Sequence, residues 1–164
     1  MFENGDLDLQ LYIPDSDYVR IQRTPKLRSA VRRLEGTSPT FVFLNCEMPP
    51  FTNRLVRQAL NYAIDKSTLP RLLANRCTAS KGPLPEIVPG YNPESIAYPY
   101  DLQKARQLLN QAGLTNGFTM TLWLNRDNPA WVRLGLIVQE SLRPLGVEIQ
   151  FKDISYPALV SAAT

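Results

Sequence analysis

The chain has 164 residues, 44% of them hydrophobic and 20% charged, with a net charge of +3. That is length enough for one good core and an ordinary globular balance, which argues against disorder. So small a charge does not imply nucleic acid, and no stretch approaches the roughly 18 consecutive apolar residues of a membrane span.

The first residues, Met1-Phe2-Glu3-Asn4-Gly5-Asp6, lack the basic and then apolar regions of a signal peptide, so the chain as it stands is read as carrying no export address. Residues 5–13, GDLDLQLYI, alternate polar and apolar as a half-buried strand does, with Asp6 and Asp8 on its wet face. Across the opening third Glu3, Asp6, Asp8, Asp15 and Asp17 precede Arg20, Arg23, Lys26, Arg28, Arg32 and Arg33, a run dilute enough to read as a solvated surface. Residues 14–39 read as short helix and turns. Thr40 to Asn45, TFVFLN, suits a buried strand.

Pro49-Pro50-Phe51 then leads into a helix. Thr52 or Asn53 can cap it, and Leu55, Val56, Ala59, Leu60, Ala63 and Ile64 form its apolar face. Prolines at 83, 85, 89, 93 and 99 exclude long regular structure from 81 to 99. Asp101 is an N-cap for a helix whose face is Leu102, Ala105, Leu108, Leu109 and Ala112, with Gly113 as its left-handed stop.

Phe118 to Leu124 alternate as a strand, and Pro129 opens a helix that Pro144 and Gly146 close. Val147, Ile149 and Phe151 mark a second strand. A strand, a helix and a strand with apolar faces predict a right-handed crossover between parallel neighbours, hence an α/β fold. Ligands of such sheets gather beyond the carboxyl ends of the strands, which here means Asn125-Arg126-Asp127-Asn128-Pro129-Ala130-Trp131. The loop offers amides, a charge of each sign and an indole. The plainer reading is a capped surface loop, with Asp127 or Asn128 as the cap and Trp131 as packing. Ser155 can cap a last helix.

Chemistry is narrowed by what is missing. Without histidine the chain can build neither Ser-His-Asp nor Cys-His catalysis, nor an imidazole zinc site. Cys46 and Cys77 form no CxxC and suit neither a redox dithiol nor a four-cysteine metal site; a disulfide or two buried free thiols both remain open to them. The eight glycines hold no GxGxxG or phosphate loop. An enzyme, a metal and a cofactor are all unexpected.

Leu44-Asn45, Pro49-Pro50-Phe51, Val56-Arg57-Gln58-Ala59-Leu60, Tyr62-Ala63-Ile64-Asp65, Gly82-Pro83, Gly90-Tyr91, Tyr100-Asp101, Lys104-Ala105, Leu108-Leu109, Ala112-Gly113, Gly117-Phe118 and Leu145-Gly146-Val147 occur in one order. The set resembles the middle of the extracellular solute-binding proteins, family 5, which serve peptide, dipeptide and nickel ABC importers. The resemblance implies part of a type II periplasmic-binding-protein-like lobe, with a mixed sheet flanked by helices. It divides the chain into the end of a first-lobe segment and connection, 1–39, and a partial second lobe, 40–164.

It also implies a hinge that closes on a peptide or other small solute and hands it to permease subunits. Location would be periplasmic or extracellular, with membrane contact only through the permease or a lipid anchor outside this chain. Phe41, Phe43 and Asn45 would lie near hinge and cleft, and Asn125, Asn128 and Trp131 on a cleft loop. The chain is expected to be a piece of a larger receptor, and alone to bind peptides weakly or not at all. An alternative is the solute-sensing domain of an intracellular transcriptional regulator on the same fold, although no helix-turn-helix is visible. A nucleic-acid module using Arg20 to Arg33 would reveal itself by steep salt dependence.

Overall fold

A computed structural model describes residues 2–11, 13–37, 39–95 and 97–163. Its regular elements are helices α1 (Asp15–Arg23), α2 (Pro25–Ala30), α3 (Arg54–Ala63), α4 (Leu69–Leu72) and α5 (Leu102–Gln111), strand β1 (Phe118–Leu124), helix α6 (Pro129–Leu142), strand β2 (Val147–Asp153) and helix α7 (Tyr156–Ala163). They fall into two compact units: Met1–Pro39 with Thr68–Ser95, and Thr40–Ser67 with Ile96–Thr164.

The first unit contains α1, α2 and α4. Its buried hydrophobic residue, among those described, is Leu73. Polar contacts also join parts of it. Arg20 grips the Glu3 carboxylate with both guanidinium nitrogens, at 2.5 and 3.2 Å. Arg76 donates to the Ile13 carbonyl at 2.7 Å and lies 5.1 Å from the centre of the Tyr18 ring, an arrangement in which the ring face attracts the cation.

The strand expected over 5–13 does not form among its described residues; Tyr12 lies outside them. Leu9 and Leu11 are 73% and 94% exposed. Alternation alone cannot hold a strand, because its N–H and C=O groups need a neighbouring ladder, and the sheet of the described residues consists of β1 and β2.

The second unit holds the core. Asn53 caps α3 by accepting from Leu55 N at 2.9 Å, and Arg57 donates to the Phe51 carbonyl at 2.6 Å, fixing the chain's entry. Val56, Ala59, Leu60 and Ala63 of α3 pack with Ala105, Leu108 and Leu109 of α5, whose cap is Asp101 accepting from Lys104 N at 2.8 Å. The alanines let the two helices approach closely. Gly113 follows α5 at φ 79°, the left-handed stop expected of it.

β1 and β2 pair in parallel, Phe118 opposite Val147 through Leu124 opposite Asp153. This is the sheet of the described residues, and it is parallel throughout. Helix α6 crosses one face. Gly135 sits where a Cβ would come within 2.9 Å of Leu124 Cδ2 and 3.1 Å of Phe151 Cε1, so absence of a side chain sets how near α6 lies to the strands. At the amino ends Gly117, at φ 77°, passes so close to Gly146 that a Cβ would fall 2.0 Å from the Gly146 carbonyl oxygen. Met120, Val138, Leu142, Leu145, Val147 and Ile149 complete the buried cluster; full burial of a leucine such as Leu142 contributes about 1.5–3 kcal/mol.

Thr40 to Asn45 forms no strand among the described residues, contrary to the expected buried strand, and Phe41, Val42 and Phe43 are exposed. The described residues of 81–99 form turns without helix or strand, as their prolines require. Both cysteines are free thiols. Cys46 is exposed rather than buried, and Cys77 is partly buried, which pushes its thiol above the ordinary value.

Candidate functional site

The strands of the second unit end together at Leu124 and Asp153, and there the chain builds a tight shelf. The Leu124 carbonyl accepts from Ile154 N at 3.1 Å, continuing the strand pairing beyond the ladder. Asp153 Oδ1 accepts from Arg126 N at 3.2 Å and so ties the loop after β1 to the end of β2. Within the loop Asn125 Oδ1 accepts from Asp127 N at 2.7 Å, a turn that asparagine favours because its side chain copies a backbone carbonyl.

Asn128, not Asp127, caps α6. Its Oδ1 accepts from Ala130 N at 3.1 Å and Trp131 N at 3.3 Å, and Pro129, which has no N–H to satisfy, occupies the first helical turn. The Trp131 ring meets the Tyr156 ring of α7 with centroids 6.0 Å apart and planes at 48°. Asn125, Asn128 and Trp131 are half-buried, and Arg126 and Asp127 are exposed.

These bonds limit what the shelf can offer. Both asparagine carbonyl oxygens are turned to the loop's own N–H groups, which leaves the amide hydrogens for an outside acceptor. The first N–H groups of α6 are met by Asn128, so this helix start is not an open anion cradle. What remains is a pair of amide donors, an ion of each sign and two aromatic rings. No group of three or more His, Cys, Asp or Glu able to hold a metal ion occurs among the described residues.

Asn125 and Asn128 therefore stand on the loop after β1, and Trp131 beside them in the first turn of α6. Phe41 and Phe43 meet edge to face at 5.7 Å, with Phe43 79% exposed. Asn45 is exposed, and its Oδ1 accepts from Glu47 N at 3.0 Å. Among the described residues no hydrogen bond or ring contact joins the 41–45 group to the 125–131 group.

Sequence reasoning passed over Asp153 and Tyr156. Asp153 could have been found as the acidic residue ending an alternating strand beside the loop. For Tyr156 the only signal was its place after Ser155 at the start of the last helix. At the opposite, amino ends of the strands lies a shallow depression of about 130 Å³, where Arg106 donates to the Pro144 carbonyl at 2.8 Å.

A parallel strand–helix–strand layer thus carries an amide- and aromatic-bearing shelf at the carboxyl ends of its strands, an α/β arrangement. Known proteins sharpen this. The chain belongs to the bacterial extracellular solute-binding proteins, family 5, whose Middle segment matches residues 1–163.

A glutathione-binding protein GsiB of Pectobacterium atrosepticum is 39% identical over 151 residues, covering 92% of this chain but 29% of its own length. The structure of HbpA2 from Haemophilus parasuis superposes with a TM-score of 0.78 at 28% identity, over 98% of this chain and 32% of that one. The ABC transporter-associated periplasmic binding protein DppA from Helicobacter pylori, solved with the peptide STSA, does so with a TM-score of 0.66 at 32% identity, over 71% and 23%. The chain thus spans about a third or less of each of these relatives. Their fold is the type II periplasmic-binding-protein fold, and the names of the GsiB and DppA relatives describe binding proteins. Among the described residues no helix is long and apolar enough to cross a membrane.

Proposed function

We propose that this chain supplies solute-contacting surface to the substrate-binding component of an ABC importer, which takes up a peptide or related small solute between two lobes and delivers it to the permease. Family membership over 1–163 carries the reading. It is supported by the shelf at Asn125, Asn128 and Trp131, whose amide donors suit the carbonyls of a peptide backbone. No bond of the solute is made or broken, and affinity arises from contacts that both lobes make at once and that shift the hinge toward closure. In this reading 1–39 belongs to the first-lobe side and 40–164 to the second lobe. Phe41, Phe43 and Asn45 lie near the hinge, while Asn125, Asn128 and Trp131 face the solute. The receptor works in the periplasm or outside the cell, and meets the membrane through the permease or a lipid anchor.

Calorimetric titration of the receptor carrying this chain, with di- to pentapeptides and with glutathione, tests the proposal. Saturable binding of any of them is the expected result. Flat heats throughout would refute it.

A further inference from the structure

The row of side chains that β2 sends toward α6 ends on an odd member. Val147, Ile149, Phe151 and Asp153 alternate onto one face of the sheet, and it is the face that α6 crosses, since Gly135 lies against Phe151 and, on β1, against Leu124 and Leu122. Val147 and Ile149 are buried there. The fourth member is an exposed carboxylate. An apolar side chain would extend the row, and positions that break such a pattern are where a sequence gives up local consistency for function.

What Asp153 does there is shown by its hydrogen bond. Its Oδ1 accepts from Arg126 N at 3.2 Å, across 27 positions of the chain. The other bonds of the loop are local. The Asn125 carbonyl accepts from Asn128 N at 3.2 Å, Asn125 Oδ1 from Asp127 N, and Asn128 Oδ1 from Ala130 N and Trp131 N. They fix the loop's own shape and its join to α6, but none relates it to β2. Among the described residues, Asp153 is the side chain of another element that bonds to 125–128. Beside it Ile154 N meets the Leu124 carbonyl, so two successive residues staple the end of β2 to the chain as it leaves β1.

We infer that Asp153 is a positioning residue of the solute site. It holds Arg126 N so that the amide hydrogens of Asn125 and Asn128 are presented in one fixed direction, and it acts through the loop rather than by touching the solute. The inference rests on the importer reading given above and deepens it. A loop already anchored loses little freedom when the solute arrives, and that saving appears as affinity. Without the bond the loop keeps its internal turns and loses its tie to β2.

The test is made in the receptor carrying this chain, with Asp153→Ala, which removes the acceptor, and Asp153→Asn, which keeps a carbonyl oxygen and drops the charge. Hydrogen–deuterium exchange over 125–128 reads the anchor, calorimetry with the same di- to pentapeptides and glutathione reads the site, and thermal unfolding reads the fold. Asp153→Ala should speed exchange at Arg126 and weaken binding roughly three- to tenfold, the effect of a single hydrogen bond. Asp153→Asn should restore most of both.

A residue that only stabilised the fold would lower the unfolding midpoint of Asp153→Ala while leaving the affinity of the folded receptor as it was, and that result would overturn the inference. Unchanged exchange over 125–128 would do the same. A residue that met the solute through its charge would leave Asp153→Asn as weak as Asp153→Ala, which is equally incompatible with positioning. In each of these cases binding by the unaltered receptor leaves the importer reading standing; if the unaltered receptor binds none of the probes, both have failed.

Discussion

The two compact units of this chain are held by different means. In the unit of Thr40–Ser67 and Ile96–Thr164, α3, α5, α6 and the two strands turn their apolar faces onto one buried cluster running from Val56 to Ile149. In the unit of Met1–Pro39 and Thr68–Ser95, Leu73 is the buried hydrophobic residue described, and the Arg20–Glu3 ion pair is about half exposed at the surface. The contrast teaches that amphipathic elements close a core only where the chain also provides the opposing face. Alternating leucines without a ladder remain in water.

Substitutions can strain this contrast, beginning with the greatest effect. Leu142→Ala should lower the free energy of urea unfolding by about 2–5 kcal/mol, because its place deep in the cluster leaves a cavity. Leu9→Ala, at a residue 73% exposed, should change it by less than about 0.5 kcal/mol. Equal losses at the two positions would mean that the first unit has a core after all.

Gly135→Ala should cost about 1–3 kcal/mol, since the new methyl must displace the ends of Leu124 and Phe151; thermal unfolding reads it. Asn128→Ala removes the acceptor of two helix-end N–H groups and should cost about 1 kcal/mol. Asn128→Asp, which keeps an acceptor, should restore most of that.

The smallest effect is expected at the Glu3–Arg20 pair. The hydrogen bond from Arg20, aided by its charge, holds the Glu3 carboxyl below its ordinary value of 4.5. A depressed acid contributes its stability in full above pH 4.5 and loses it as the pH falls through the folded value. Both side chains are about half exposed, so water and salt screen the pair. Glu3→Gln should lower the unfolding midpoint only slightly at pH 7, and that small difference should vanish as the pH falls below the folded value of Glu3. A large shift at neutral pH would show the pair to be a main support of the first unit.

Legibility along the chain followed the same divide. The helices α3, α5 and α6 and the strands β1 and β2 could be read because their apolar periods, caps and stops are local: Asn53, Asp101, Pro129 and Gly146 mark boundaries by their own conformational demands. The segments 5–13 and 40–45 carried strand-like patterns too, but a strand exists only with a paired neighbour, and a segment's own alternation does not say whether one is near. Of the shelf, Asn128 and Pro129 were visible as an N-cap and first-turn pair. Tyr156 was not, since the meeting of α7 with the start of α6 depends on β2 bringing the chain back beside the loop.

The central claim is that the carboxyl ends of β1 and β2, not the depression near Arg106 and Pro144 at their amino ends, meet the solute. Photocrosslinking tests it most directly, using a short peptide carrying benzoylphenylalanine and mapping its attachment sites by mass spectrometry. The account predicts adducts at residues 125–131 and at Tyr156, suppressed by excess unlabelled peptide. Adducts concentrated at Arg106, Asn110 and Asn116, or scattered without competition, would contradict it.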